Sequence, residues 1–592
     1  MTQPAIESYA FLSDCQSAAL VGKDGSIDWY CPPRFDAPAV FARMLDPDGG
    51  AWYLRPLQPA RVERSYLGDT LVLRTVFHTA QGSVRVTDAL AFAPGARDHE
   101  IGMEVPHLLV RRVEGIAGAV EVSMSCAPRL EYALTLPRVS LTPQGALFTG
   151  GPTELHLLTD CALTIEQAAA TATFTVSAGE AVDFALVYRR FASSSPVHAV
   201  DVAAELANCL AGWQSWADQH QSYSGPYAAQ VRRSALVLQG LTYQPTGAII
   251  AAATTSLPEQ DGGELNWDYR YAWLRDLSLT TRALWIAACP TEAERYFRWI
   301  AQALGGDPAA GRRVQIMFSV TGECDLTERT LPHLRGYRGS QPVRVGNAAW
   351  RQKQLDVLGE VVDAVYQYRD SLDFDQTLRE MVIALADQAA AHWREPDAGM
   401  WEARDRERHY LSSKVMCWVA LDRAIMLAPR LGDSVNLSTW QQARTDVRRE
   451  ILARGWNEQV GAYTGAFDSD QLDASVLLMP LVDFLPASDT RMRATIETIA
   501  RELAPDEVVH RWKGDANGFL LCSFWLVECL ARAGERPRAQ ALFEHTCGFA
   551  NDLGLFTEMV DPTTGACWGN LPQTFSHVGL INAAWSLADD QA

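Results

Sequence analysis

The hydrophobic periodicity of this chain changes once, close to Val197, and that change restricts the folds open to it. Before this point, short apolar runs recur between turn residues, for example at residues 71–77, 84–90, 108–113 and 120–126. Many short strands at near-regular spacing are typical of an antiparallel sandwich. After this point, apolar residues recur at helical spacing as far as the end of the chain. We therefore expect a β part followed by an α part.

The same change predicts the domain organisation. Residues 1–200 are expected to form an antiparallel β-sandwich domain. Residues 201–226 are expected to form a linker helix that ends at the Gly-Pro pair at 225–226. Residues 227–592 are expected to form a domain of about a dozen helices, which is enough for six helix pairs.

A loop pattern recurs within the helical part. Trp-Arg-Glu followed by Gly-Met-Trp spans residues 393–401, and Trp-Asn-Glu followed by Gly-Ala-Tyr spans residues 456–463. Repeated helix–loop–helix units are typical of a closed array of helix pairs. The pattern thus predicts an (α/α)6 toroid, and we expect the loops at one mouth of the toroid to carry the chemistry.

Charge and cysteine content narrow the range of partners. The formal net charge is −20, which would repel nucleic acid and gains little from an anionic membrane. The twelve cysteines are scattered without CxxC pairs, which indicates reduced thiols, not a disulfide frame or a zinc site. No signal-like segment opens the sequence and no run is apolar enough to span a membrane, so we expect a cytoplasmic protein. A small neutral molecule is the expected partner, and the oligomeric state is left open.

Two segments could bind or cleave a sugar. In residues 266–276, aromatic and charged residues alternate, and Arg275 beside Asp276 offers a donor and an acceptor for neighbouring hydroxyl groups. Asp276 could equally be the N-cap of the helix that follows it. In residues 399–404, Glu402 follows Trp401, and burial against an indole could raise its pKa as a general acid requires. The alternative is a solvated loop glutamate.

Two further segments complete the set. Glu558 lies in the apolar stretch 555–561 ahead of the last helix and is the candidate base. Its alternative role is that of a helix cap or an acid at the edge of the core. Residues 510–519 combine a cation with several hydrogen-bonding groups, as in a ligand-binding loop or an ordinary surface loop.

Taken together, these segments resemble glycoside hydrolase family 15. Further similarity lies in residues 14–29, 336–347, 413–416, 521–525 and 569–582, so that the resemblance covers nearly the whole chain. It implies a β-sandwich followed by an (α/α)6 catalytic domain, in agreement with the periodicity.

The resemblance also implies residue roles. Glu402, preceded by Trp401, matches the general acid, and Glu558 matches the general base. The residues that match sugar contacts are Tyr269, Trp273, Arg275, Asp276, Trp401 and Arg511. An inverting hydrolase holds its two carboxyls roughly 6.5–9.5 Å apart to admit a water molecule. We expect Trp401 and apolar neighbours to raise the pKa of Glu402, and nearby donors or cations to lower that of Glu558. The chemistry requires no metal and no organic cofactor.

The expected activity is that of an inverting, exo-acting α-glucosidase, with α,α-trehalose as the preferred substrate. Trehalose is favoured because the chain has no Ser/Thr-rich linker and no appended starch-binding module. A glucoamylase, an oligosaccharide α-glucosidase or a glucodextranase is the alternative. A catalytically silent sugar-binding protein would lack one of the two glutamates, and a phosphorolytic enzyme would need a phosphate site in place of Glu558.

Overall fold

Antiparallel strands form the amino-terminal region. The computed structural model describes residues 3–193, 196–219, 223–287, 290–304, 314–432 and 435–588. The strands of this region are β1 (Ala10–Ser13), β2 (Ala18–Val21), β3 (Ser26–Tyr30), β4 (Ala51–Pro56), β5 (Arg61–Tyr66), β6 (Leu73–His78), β7 (Gly82–Leu90), β8 (Leu108–Ala127), β9 (Arg138–Thr142), β10 (Gly145–Gly150), β11 (Thr153–Leu158), β12 (Thr164–Glu166), β13 (Ala169–Ser177) and β14 (Ala181–Arg190).

Strand β8 joins the two halves of this β region. The sequence pattern predicted separate strands at 108–113 and 120–126, and this was wrong, because the chain forms one strand of 20 residues. Its first half pairs with β7 and β14, and its second half pairs with β4 and β13. The polar and glycine-containing stretch in its middle is a bulge at which the register with β7 shifts, and a bulge bends a strand without ending it.

Helices dominate the described chain after the β region, and one short helix, Leu130–Ala133, lies within that region. They are α1 (Leu130–Ala133), α2 (Val202–Gln219), α3 (Ala228–Gly240), α4 (Leu277–Ile286), α5 (Pro290–Leu304), α6 (Asp356–Gln367), α7 (Gln376–His392), α8 (Leu411–Leu431), α9 (Leu437–Arg454), α10 (Leu478–Leu481), α11 (Thr490–Glu502), α12 (Leu520–Arg532), α13 (Arg536–Cys547) and α14 (Thr574–Ser586). None of the helices formed by these described residues is long and apolar enough to cross a membrane.

In the described chain, the helices from α3 to α14 form two concentric rings. The even-numbered helices contact one another in the order α4, α6, α8, α10, α12, α14 and back to α4. Each odd-numbered helix from α3 to α13 packs outside this ring, against an inner neighbour. The β part followed by an (α/α)6 toroid is the fold class that the periodicity predicted. The predicted domain boundaries near residues 200 and 226 stay a prediction.

Short strands of two residues line the loop end of the toroid. They are β15 (Thr242–Tyr243), β16 (Ala248–Ile249), β17 (Ala272–Trp273), β18 (Met317–Phe318), β19 (Arg329–Thr330), β20 (Arg344–Val345), β21 (Trp456–Asn457), β22 (Ala462–Tyr463), β23 (Gly518–Phe519), β24 (Met559–Val560) and β25 (Cys567–Trp568). Strands β23, β24 and β25 make one small sheet, which ties the loop before α12 to the loop before α14.

The β region supports the loop before α4. Arg270 is fully buried, pairs with Asp268 at 2.7 Å, and donates a hydrogen bond of 2.9 Å to the carbonyl oxygen of Ala37. Its guanidinium lies over the rings of Trp29 and Tyr132, both in the β region. A buried charge with this many partners holds its segment in one conformation, so the loop that follows it is rigid.

Candidate active site

A cavity of about 260 Å³ opens at the loop end of the toroid. Four loops, which lead into the inner helices α4, α8, α12 and α14, contribute to its wall. All eight residues that the sequence singled out line it: Tyr269, Trp273, Arg275, Asp276, Trp401, Glu402, Arg511 and Glu558. Segments nearly 300 residues apart in the chain therefore meet in one enclosed space, as a small-molecule site requires.

Glu402 is held firmly at this wall. Its Oε1 accepts a hydrogen bond of 2.7 Å from the indole Nε1 of Trp273 and one of 3.1 Å from the Arg275 guanidinium. The backbone of Glu402 is left-handed, with φ of 60°, a conformation that costs a residue other than glycine roughly 1 kcal/mol or more. Gln352 donates hydrogen bonds to the carbonyl oxygens of Glu402 and Ala403, which supports this turn.

Glu558 is more deeply buried than Glu402. Only 3% of its surface is exposed, and its Oε1 accepts a hydrogen bond of 2.9 Å from the Tyr269 hydroxyl. Gly569 lies directly against it, since a side-chain carbon at Gly569 would lie 2.7 Å from Cβ of Glu558. The backbone of Gly569 is left-handed, with φ of 82°, so glycine is favoured there both by the backbone and by the space.

The charge environment of Glu558 differs from the expectation. Burial, followed by the negative charge of Glu259, raises the pKa of Glu558 to about 8, while Arg511, Tyr269 and Arg275 oppose the shift. The cations and donors that were expected to lower this pKa are present, but they do not outweigh desolvation. The prediction of a lowered pKa was therefore wrong, because burial of the carboxylate outweighs its polar contacts.

Two neighbouring aromatic residues connect the carboxyl groups. Tyr269 contacts Glu558 and Trp273 contacts Glu402, and the two rings meet edge to face with their centroids 5.6 Å apart. The two glutamates are thus connected through two aromatic side chains that contact each other.

Arg275 and Asp276 line the same cavity. The guanidinium bonds the Asp276 carboxylate at 3.2 Å, donates to the carbonyl oxygen of Met400, and lies over the ring of Phe575. Asp276 precedes α4, but its side chain makes no capping hydrogen bond, so the N-cap alternative does not describe it. Burial raises the pKa of Asp276 to about 7, against the opposing effect of Arg275.

Trp401 and Arg511 lie side by side at the cavity wall. The Trp401 indole donates a hydrogen bond of 2.9 Å to Asp473 and packs edge to face against Phe519. The Arg511 guanidinium lies 6.0 Å from the Trp401 ring centroid and is bonded to Glu259 and Asp515. Trp401 is therefore fixed by a partner other than the adjacent glutamate.

Sequence reasoning missed several residues of the wall. They include Glu259, Trp267, Arg404, Trp512, Gln573 and Phe575. Arg404 lies 3.8 Å over the ring of Trp267 and also pairs with Glu328. Trp267 and Trp512 lie inside segments that the sequence had marked, and tryptophan beside those charges was the available signal. Glu259 had no comparable local signal.

Polar and aromatic side chains line the cavity. The cavity has the volume, the aromatic faces and the fixed hydrogen-bond donors and acceptors to fit one or two sugar rings. Among the described residues, no group of three or more His, Cys, Asp and Glu side chains could hold a metal ion. What the wall offers is a pair of carboxyl groups for proton transfer and an Arg–Asp pair for hydroxyl groups.

Comparisons with known proteins agree with this description. Residues 225–585 match the model of glycosyl hydrolases family 15, and residues 1–198 match that of the trehalase-like N-terminal domain. A trehalase of Mycolicibacterium smegmatis is 37% identical over 98% of this chain and 91% of its own length. A trehalase of Thermoplasma volcanium is 30% identical over 99% of this chain and 94% of its own. A bacterial glucoamylase complexed with acarbose has the same fold, with a TM-score of 0.72 at 14% identity over 99% of this chain and 94% of its own.

Proposed function

Because this chain belongs to glycosyl hydrolases family 15 and is a glycoside hydrolase, we propose that it cleaves α,α-trehalose into two glucose molecules with inversion at the attacked carbon. One observation carries the mechanism: Glu402 and Glu558 line the same cavity and are held by different donors. Two carboxyl groups on either side of a glycosidic bond are the usual machinery for its hydrolysis.

In the proposed reaction, Glu402 donates a proton to the oxygen that joins the two sugars. Glu558 takes a proton from a water molecule, whose oxygen attacks the anomeric carbon from the opposite face. The bond from that carbon to the bridging oxygen breaks, and the second glucose leaves with the proton from Glu402. Arg275 and Asp276 hold hydroxyl groups of the attacked ring, and the Tyr269 oxygen lies beside the developing positive charge.

The protonation state sets a pH dependence. The productive form has a proton on Glu402 and none on Glu558, whereas burial favours a proton on Glu558 in the free enzyme. The productive form is present only where Glu558 has ionised while Glu402 keeps its proton. We therefore expect the pH profile of kcat/KM to have a limb near the pKa of Glu558, about 8.

Trehalose is proposed over other α-glucosides for two reasons. Both trehalases described above align with this chain over almost its full length, whereas the likeness to the bacterial glucoamylase concerns the fold alone. In addition, the cavity of about 260 Å³ is small and suits a disaccharide better than a polymer. Ala403, next to Glu402, leaves space where the second sugar would lie.

A panel of substrates tests this proposal. Trehalose, maltose, isomaltose and a longer maltooligosaccharide are supplied at equal concentration, and initial glucose release is measured. We expect the highest kcat/KM on trehalose. Preference for maltose or its longer homologues would instead favour a glucoamylase, and preference for isomaltose a glucodextranase.

A cytoplasmic location is part of the proposal. The eleven cysteines within the described residues are free and mostly buried, as is usual in a reducing compartment. The negative net charge is compatible with a small neutral substrate, which needs no electrostatic attraction.

A further inference from the structure

Glu259 is a buried acid at the cavity wall to which the mechanism above gives no role. Only 4% of its surface is exposed, yet it lines the cavity together with Glu402 and Glu558. Its Oε2 accepts a hydrogen bond from the guanidinium of Arg511, which is also bonded to Asp515 at 2.8 and 3.1 Å. The Arg511 guanidinium is therefore bonded to two carboxylates, and one of them, that of Glu259, lines the cavity of the reaction site.

Hydrogen bonds connect the main chain at Glu259 to residues that lie close to the proposed base, Glu558. The Gly569 N–H donates a hydrogen bond of 2.8 Å to the carbonyl oxygen of Pro258, and Gly569 packs directly on the side chain of Glu558. On the other side, the Asn517 amide donates a hydrogen bond of 2.6 Å to the carbonyl oxygen of Glu259. These bonds fix Glu259 with respect to Glu558 in the same way that the Tyr269 hydroxyl fixes Glu558 itself.

Arg511 connects the charge of Glu259 to the proposed base, Glu558. One of its guanidinium nitrogens lies 4.0 Å from the Met559 sulfur, in the residue next to Glu558. A cation here stabilises the ionised carboxylate of Glu558 and thereby weakens it as a proton acceptor. Arg275 acts in the same direction, as does the hydroxyl of Tyr269.

We propose that Glu259 is a positioning residue for the reaction: it fixes Arg511 and offsets its charge beside Glu558, so that Glu558 remains a strong enough base to activate water. This inference rests on the proposed role of Glu558. It assigns a function to a residue that binds neither the proton nor the attacked sugar ring in the mechanism above.

The electrostatics of the site support this assignment. After burial, the negative charge of Glu259 is the largest influence that raises the pKa of Glu558, and Arg511 is the largest that lowers it. Asp515 shares Arg511 but lines a neighbouring cavity of about 220 Å³. Removal of the charge of Asp515 is therefore the matched control for removal of the charge of Glu259.

The test is the pH dependence of kcat/KM for wild type and for three variants: Glu259→Gln, Glu259→Asp and Asp515→Asn. Glutamine keeps a hydrogen bond to Arg511 and removes the charge. We expect the limb near pH 8 to move about one unit to lower pH in Glu259→Gln, the size of effect that a neighbouring charge produces in a partly screened site. The maximal kcat should fall several-fold, because the base is weaker.

The controls separate charge from structure. Glu259→Asp should restore the wild-type limb, and Asp515→Asn should leave the limb in place even if it changes KM. A Glu259→Gln profile that superimposes on the wild type in shape would overturn the proposal, as would an equal shift in Asp515→Asn. Far-UV circular dichroism and thermal unfolding confirm that each variant is folded, and Glu259→Met, which also removes the charge, provides the measurement should Glu259→Gln fail to fold.

The proposed function and this inference can fail separately. If wild type does not hydrolyse trehalose, the substrate proposal fails, and the same four profiles are recorded on whichever α-glucoside of the panel it does hydrolyse. A shifted limb on that substrate supports the role of Glu259, and an unshifted one overturns it.

Discussion

Replacement of Gly569 by alanine should slow turnover while leaving the fold intact, because the added methyl group meets the side chain of Glu558. The new carbon would lie 2.7 Å from Cβ and 2.8 Å from Oε2 of that residue, whereas ordinary contact begins at 3.4 Å. The shortfall is 3.4 − 2.7 = 0.7 Å, so the carboxyl group must move by roughly that distance. A misplacement of about 1 Å can cost about 100-fold in rate, and we expect kcat on trehalose to fall roughly 10- to 100-fold.

Gly565 supplies the matched control for this variant. It lies in the turn of the same hairpin, between β24 and β25, and has a left-handed φ of 72° with open space where a side chain would be. Gly565→Ala therefore carries a similar backbone penalty, roughly 1–2 kcal/mol in the free energy of unfolding, without contacting Glu558.

The assay compares kcat at saturating trehalose with the free energy of unfolding in denaturant for both variants. We expect similar destabilisation of the two and a loss of kcat only in Gly569→Ala. The reasoning is refuted if Gly569→Ala keeps nearly all of the native kcat, or if Gly565→Ala loses as much as Gly569→Ala does.

Two further predictions concern the buried acids. Glu402→Gln should lose at least about 100-fold in kcat on trehalose but hydrolyse α-glucosyl fluoride, whose leaving group needs no acid, whereas Glu558→Gln should lose both activities; the reverse pattern would exchange the two roles. Asp356 is almost fully buried, and burial raises its pKa from 3.8 to about 7. Its contribution to stability is present below about pH 4 and lost as pH rises through 7, so Asp356→Asn should raise the free energy of unfolding at pH 8 by up to about 4 kcal/mol and change little at pH 4; equal effects at both pH values would contradict this.

Helical periodicity predicted most of the toroid, and its failures have local causes. Continuous apolar spacing predicted helices at residues 228–241 and 438–453, within a residue of the bounds of α3 and α9. The helix α10 was missed because it is only four residues long and contains Pro480, which disrupts any longer pattern. The long strand β8 was predicted as two strands because residues 114–119 in its middle interrupt the apolar run.

The site was predictable where its residues are close together in the chain. Tyr269, Trp273, Arg275 and Asp276 lie within eight residues of one another, and their alternation of aromatic and charged types is visible in the sequence. Glu259 was not predictable in this way, because its partners Arg511 and Asn517 lie about 250 residues further along the chain.

The direction of the Glu558 pKa shift could not be predicted either. The neighbouring sequence shows which polar groups are near, but desolvation depends on how completely four loops close around the carboxyl group. Burial is a property of the assembled fold, and in this site it outweighs the contacts that sequence reasoning could identify.

The anomeric form of the first products tests the central claim most directly. Early-time proton NMR of trehalose hydrolysis, before mutarotation, records the α- and β-glucose that the enzyme releases. Inversion at the attacked carbon gives β-glucose from that ring and α-glucose as the leaving sugar, so the account predicts equal initial amounts of the two anomers. Release of α-glucose alone would show retention through a covalent intermediate and would contradict the assignment of Glu402 and Glu558 as an inverting acid–base pair.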